Sequence, residues 1–262
     1  DIASSDNLIC AVGYKHNYAQ TDASDDGLIV CYDFEGNEQI AELYGYNQEY
    51  YDPGNTRDDT FASIINLSNG DFMIFGFAYY LYSDNNSSYI GRPRVMRFNE
   101  DGVVFDKIID EPLLFWQNIH NPNVDMIEMN NGNILIVSNN ISNHASMLVI
   151  DENGEVVSFG SDHNQFELGG TGASFFNSAT LTNDGDILIA GAISNGFNSE
   201  ELLLLKIDSN FNFKWVKFHN NGTFGTADYA NDVIQRPDNK IIVPGFMYAT
   251  QHPEQAISVL AF

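Results

Sequence analysis

Six carboxylates stand at the start of apolar, strand-like runs: Asp58, Asp59, Asp125, Glu128, Asp228 and Asp232. Two carboxylates held about 5 to 10 Å apart can hydrolyse a glycosidic bond, one as acid and the other as base or nucleophile. Asn123, Asn177 and Asn231 recur in the same stretches, where amides suit hydrogen-bonded recognition or strand capping. No nucleophile elbow, phosphate-cradling glycine loop or paired-histidine motif accompanies them. The residues at these run starts also differ from copy to copy, which favours binding over catalysis.

Metal chemistry has one candidate. The segment TDASDDG gathers Asp22, Asp25 and Asp26, whose hard oxygens suit calcium, although their spacing is not that of an EF-hand loop. Solvated acidic loops have the same composition. The six histidines are scattered at no ligand spacing, and two cysteines without a histidine pair make a poor zinc site.

The elements that must position these groups come from a repeated ten-residue phrase. SSDNLICAVG, LSNGDFMIFG, MNNGNILIVS, TNDGDILIAG and RPDNKIIVPG end at Gly13, Gly76, Ser138, Gly191 and Gly245, a spacing of 53 to 63 residues. A second phrase follows four of them, with its turn residue at Asp33, Asn99, Asp151 and Asp208. Each repeat therefore reads as two hairpins and four short strands, A to D. The pairs Asp6-Asn7, Asn69-Gly70, Asn131-Gly132, Asp184-Gly185 and Asp238-Asn239 fit two-residue type I′ turns. Four-strand units at this period predict an all-β propeller of about five blades, over residues 1–45, 57–110, 120–160, 175–219 and 228–262 of one domain.

TNDGDILIAG and RPDNKIIVPG resemble the Q-P-D-G-K-apolar-x-Gly core of the delta-sixty repeats of secreted bacterial propellers. The resemblance covers most of the chain and implies the propeller fold and an exported or surface setting, with no shared active site. The chain departs from that core at Ser138 and in the fifth motif position, where only Lys240 matches.

In such a blade the short A–B and C–D turns lie on one face and the long connections on the other. The long segments include Lys15–Asp26, Tyr46–Arg57, Tyr79–Arg92 and Glu111–Pro122. Twelve of the 13 tyrosines lie in or beside such segments, with Trp116. Tyrosine and tryptophan offer rigid amphipathic area suited to protein interfaces and sugar stacking, and blade sealing needs the same residues. The binding set read from this face is Tyr50, Tyr51, Tyr80, Tyr82, Trp116, Asn123, Asp125 and Tyr229.

Thirty-six acids against 11 bases give a net charge of −25, a field that repels nucleic acid and anionic lipid. No apolar run approaches the roughly 18 residues of a membrane span. The opening DIASSDNL has the look of a trimmed product, and the acidic, lysine-poor balance leans toward an extracellular or cell-surface protein. A hairpin register pairing Tyr14 with Gly27 sets Cys10 opposite Cys31, as a cross-strand disulfide or, the reading favoured, as two buried thiols. The last repeat reaches only strand C, AISVLAF, so an outer strand is expected from an upstream segment or a neighbouring subunit. Taken together, the sequence reads as a non-enzymatic binding or assembly module for protein or glycan, without a cofactor unless calcium. A glycoside hydrolase or related carbohydrate-active enzyme with carboxylates at the central channel is the alternative.

Overall fold

The structure is a computed structural model, which describes residues 1–16, 25–45, 59–82, 88–109, 123–139, 145–161, 174–194, 200–219, 228–247 and 256–261. It is all-β. Among the described residues, 20 strands form five antiparallel sheets, each from one repeat. The first holds β1 (Ile2–Ser4), β2 (Ile9–His16), β3 (Asp25–Tyr32) and β4 (Glu38–Tyr44) in chain order. The second holds β5 (Asp59–Asn66), β6 (Phe72–Tyr82), β7 (Ser88–Asn99) and β8 (Gly102–Ile108). The third and fourth follow the same order with β9 (Asp125–Glu128), β10 (Ile134–Asn139), β11 (Ala145–Ile150) and β12 (Val156–Ser161), then β13 (Ser174–Leu181), β14 (Ile187–Ser194), β15 (Glu200–Ile207) and β16 (Phe213–His219). In the fifth, β17 (Tyr229–Ala230) and β18 (Ile234–Gln235) share one edge of β19 (Ile241–Met247), and β20 (Ala256–Ala261) takes the other. Among the described residues β20 pairs with β19 alone.

The chain divides into two compact units, Asp1–Pro122 with Glu152–Glu155, and Asn123–Asp151 with Val156–Phe262. In the second, third and fourth sheets the second and third strands are mostly covered on both faces, which is why they read as unbroken apolar runs, whereas β2 and β3 bury alternate residues. Every residue of β10 and β11 is buried. In β14 the alternation splits one run between two cores. Ile187 and Ile189 join Leu135, Val137 and Met147, while Leu188 and Ala190 pack with Ala230, Val233 and Val243. Fourth strands such as β4 and β8 are mostly exposed.

The core of the first unit includes both cysteines. The expected register holds, with Tyr14 opposite Gly27 and Cys10 opposite Cys31. The cysteines form a disulfide and are fully buried, which corrects the favoured reading as two thiols. Direct opposition in adjacent strands brings the side chains close enough to bond.

Two further expectations are corrected. The hairpin turns are not type I′. In Leu67–Asp71 the Gly70 N–H donates to Leu67 O and the Leu67 N–H to Asp71 O, and of the pair only Gly70 has positive φ (91°). That is a type I turn closed by one left-handed residue, a three-residue loop. The same pattern recurs at Gly132, Gly185 and Asn239. The turn amide earns its place by accepting the N–H across this residue, as Asn69 Oδ1 does from Asp71 and Asn131 Oδ1 from Asn133. Gly132 (φ 82°) has nothing within 4 Å of an added Cβ, so Gly132→Ala carries only the backbone penalty. Chemical denaturation is expected to show a loss of about 1–2 kcal/mol.

The segment Tyr79–Arg92 is no long loop. β6 runs through Tyr82 and pairs with β7 to the end, Tyr80 with Ile90 and Tyr82 with Ser88. Tyrosine favours strands, and three of the four residues Tyr79–Tyr82 are tyrosines, which extends the hairpin.

Candidate functional site

In three of the repeats a carboxylate sits at one register position in or beside the first strands of its sheet, and a serine takes that position in the other two. The residues are Asp1, Ser63, Asp125, Ser178 and Asp232, thirteen residues before the last residue of each phrase (twelve in the first). A β-bulge prepares the position. In β5 the pairing jumps from Phe61 to Ser63, and in β13 from Phe176 to Ser178, leaving Ala62 and Asn177 as extra residues. In the fifth sheet the N–H groups of Asn231 and Asp232 both point at Pro244 O (3.0 and 3.4 Å), again two residues against one. Bulges re-aim the side chains around them.

The second unit brings Asp125, Ser178 and Asp232 together. Asp125 Oδ1 accepts the Met126 N–H at 2.8 Å, and Oδ2 accepts the Ala179 N–H at 2.9 Å. Ser178 Oγ lies 2.9 Å from Asp125 Oδ2 and 2.8 Å from Asp232 Oδ1. Asp232 Oδ1 also accepts the Val233 N–H at 2.7 Å. Beside this line, Asn123 Nδ2 donates to Asn177 Oδ1 (3.1 Å), and Asn177 Nδ2 donates to Ala230 O (2.8 Å). Ser178 is buried, Asp125 and Asn177 are half-buried, and Asn123, Asn231 and Asp232 are exposed. The result is one polar strip that links half-buried Asp125 to exposed Asp232 through buried Ser178.

Burial holds the Asp125 carboxyl above the usual carboxylate range. Its hydrogen bonds from Ala179, Ser178 and Met126 work against that, and the charge of Asp232 adds to it. A half-buried carboxyl raised in this way beside an exposed carboxylate is the asymmetry that separates an acid from a base.

In the first unit Ser63 Oγ donates to Asp1 Oδ2 at 3.1 Å, and the Ile64 N–H donates to the same oxygen at 3.0 Å. The link therefore ties neighbouring sheets of one unit wherever it occurs. Asp59, another of the sequence candidates, is buried at the start of β5 and lies 3.7 Å from the Arg94 guanidinium. Asp228 is buried, and its N–H donates to Glu200 O. Glu128 is half-buried on β9. Asp58 lies outside the described residues.

Of the binding set, Asn123 and Asp125 belong to the strip. Tyr229 is half-buried on β17, its ring 6.4 Å from that of Phe246. Tyr80 and Tyr82 are strand residues of β6, and Tyr50, Tyr51 and Trp116 lie outside the described residues. For calcium, Asp25 (buried) and Asp26 (half-buried) are successive residues of β3, whose side chains point to opposite faces. Asp22 lies outside the described residues, and among those described no group of three or more acidic, histidine or cysteine side chains converges as a metal site. A cavity of about 560 Å³ in the first unit is lined by turn residues including Asp6, Asn69, Asp71 and Glu100, and by none of the candidates.

Ser178 and Ser63 were not singled out from the sequence. Their signal was available as the serine–carboxylate alternation at one register position, which becomes visible once the phrases are aligned on their last residue.

No protein-family model and no curated protein matches the sequence. The fold resembles solved propeller-type glycoside hydrolases and lyases. An ulvan lyase of polysaccharide lyase family 25 superposes with a TM-score of 0.60 at 8% identity, covering 100% of this chain and 68% of the lyase. A point mutant of the NanB sialidase from Streptococcus pneumoniae gives 0.52 at 12% identity, covering 91% of this chain. A family 43 β-1,3-galactosidase gives 0.51 at 8% identity, covering 100% of this chain and 55% of the galactosidase. The chain spans 36% of the length of the sialidase it matches.

Proposed function

We propose that this chain is a five-bladed β-propeller domain that acts on saccharides, with Asp125 as general acid and Asp232 as its carboxylate partner. The observation that carries the reading is the single hydroxyl, Ser178 Oγ, within hydrogen-bond distance of both carboxylates. With a tetrahedral angle at that oxygen, the two nearest carboxylate oxygens lie roughly 5 Å apart, the separation class of retaining glycosidases. Asn123 and Asn177 supply amides on the same strip for sugar hydroxyls, and Asn231 stands exposed beside Asp232. The sialidase, lyase and galactosidase named above lend support, since each carries out sugar chemistry on a similar fold.

An exported or cell-surface setting belongs to the same proposal. The Cys10–Cys31 disulfide supports it, because such bonds persist in oxidising compartments. So does the likeness of the repeats to the delta-sixty type. A strand from outside the fifth sheet pairing with β20 would extend it to the four rungs of the others.

A second reading, recognition of glycan or protein without turnover, is favoured by one specific fact. The Asp–Ser link also occurs at Asp1 and Ser63, where one carboxylate serves each hydroxyl and the contact joins sheets. Sugar release from a panel of neutral, amino and acidic polysaccharides, compared between the parent chain and Asp125→Asn, separates the two readings. Glycan-array binding without release selects the second.

A further inference from the structure

A serine hydroxyl owns one hydrogen, yet Ser178 Oγ sits at hydrogen-bond distance from two carboxylate oxygens. The other donors at the site are the N–H groups of Met126, Ala179 and Val233, and each reaches only one of the two carboxylates. With both carboxylates ionised, Ser178 satisfies one of them and turns a lone pair toward the other. One added proton makes both contacts attractive, because the acid O–H donates to Ser178 Oγ and the serine O–H donates onward. We propose that Ser178 is a positioning residue that joins Asp125 and Asp232 into one titrating pair, holding a single proton among two carboxylates and a hydroxyl.

Among the described residues no basic group is seen against the pair. β10 and β13, which pack against Asp125, carry no charged residue, and neither do β17 and β18 beside Asp232. On β9 itself the other charged side chain is Glu128, and Asp228 precedes β17. Asp125 is the group that keeps the proton, since it is the less exposed of the two and pays the larger desolvation penalty on ionising. The Asp1–Ser63 link is the internal contrast, with one carboxylate on its hydroxyl.

The consequence is a pH window, bounded by two values that belong to the pair, in which one member is an acid and the other a carboxylate. Using that state to cleave a glycosidic bond rests on the proposed function, whereas the proton sharing rests on the geometry alone. The linkage sign follows from Asp125 being raised in the folded chain. Its contribution to stability is full below the ordinary carboxylate range and is lost as pH rises through the folded value.

Carbon-13 NMR of aspartate-labelled full chain, titrated from about pH 3 to about pH 8, reads the side-chain carboxyl carbons directly. The Asp125 carbon is expected to titrate above the ordinary range in two steps. Asp232→Asn, a change at an exposed position, should leave one step with its midpoint lower by about one pH unit. Ser178→Thr, which keeps a hydroxyl, should preserve the two-step curve, and Ser178→Ala should weaken the second step. A single ordinary step for Asp125, unchanged in Asp232→Asn, overturns the proposal. Turnover plays no part in this readout. A two-step curve in a chain that cleaves no saccharide keeps the shared proton and removes the enzymatic reading, and cleavage with independent single steps does the reverse.

Discussion

Gly191→Ala is expected to lower stability by about 3 kcal/mol or more, the upper end of overpacking, while Gly13→Ala changes it by less than about 0.5 kcal/mol. Both glycines end the same sequence phrase, so the contrast isolates a cause. A Cβ built on Gly191 would lie 1.7 Å from Phe175 O and 2.8 Å from Phe175 C, backbone atoms that cannot swing aside. The strand β13 comes this close because it bulges immediately afterwards, at Asn177. Gly76 and Gly245 meet the same obstacle, Thr60 O at 2.0 Å and Tyr229 O at 2.2 Å, whereas nothing lies within 4 Å of a Cβ on Gly13. None of these glycines is among those with positive φ, so the penalty is steric approach and not backbone conformation. Parallel urea denaturations test this. Equal losses at Gly13 and Gly191 would remove the close-approach explanation for the repeat's terminal glycine.

The second large effect is expected at Arg94. This side chain is 2% exposed and grips Asp106 with two bonds, Nε to Oδ1 at 2.9 Å and Nη2 to Oδ2 at 2.6 Å. Its Nη1 donates to Tyr44 O at 3.2 Å and lies 3.7 Å from Asp59, and the guanidinium stacks over the Phe61 ring at 5.3 Å. One planar fork thus holds β7 to β8, β4 and β5 within the first unit. Arg94→Met keeps much of the packing and removes the buried cation that grips Asp106 and faces Asp59, a loss of about 3–5 kcal/mol. Arg94→Lys should recover little of it, because an ammonium cannot make the paired contacts. Thermal melts of the three proteins check this. An Arg94→Lys variant as stable as the parent would contradict the assignment.

Much of this architecture is legible in the sequence because it is local. The turn residue, the left-handed residue and the apolar run lie within ten positions, so they announce every A–B hairpin, and the cysteine register follows from one pairing. Turn type was not legible, since Asn-Gly serves both a two-residue turn and the end of a three-residue one. The disulfide was not settled either, because a buried thiol pair and a bond use the same register. Ser138 departs from the terminal glycine, and among the described residues β9 pairs with β10 only as far as Val137 opposite Asp125. At the site, Asp125, Asp232 and the three asparagines were found from their place before apolar runs. Ser178 was not, because its role comes from contacts with residues 53 and 54 positions away. The tyrosines of the long-loop face carry a composition signal but no register that would say which of them meet.

Sugar release by the full chain, with Asp125→Asn and Asp232→Asn run beside it, decides whether the carboxylate pair is catalytic. Release from at least one polysaccharide by the parent chain is expected, with both variants folded and slowed by at least about 100-fold, the scale of a lost general acid or base. Release that persists at the parent rate in both variants, or no release from any member of the panel, would contradict it.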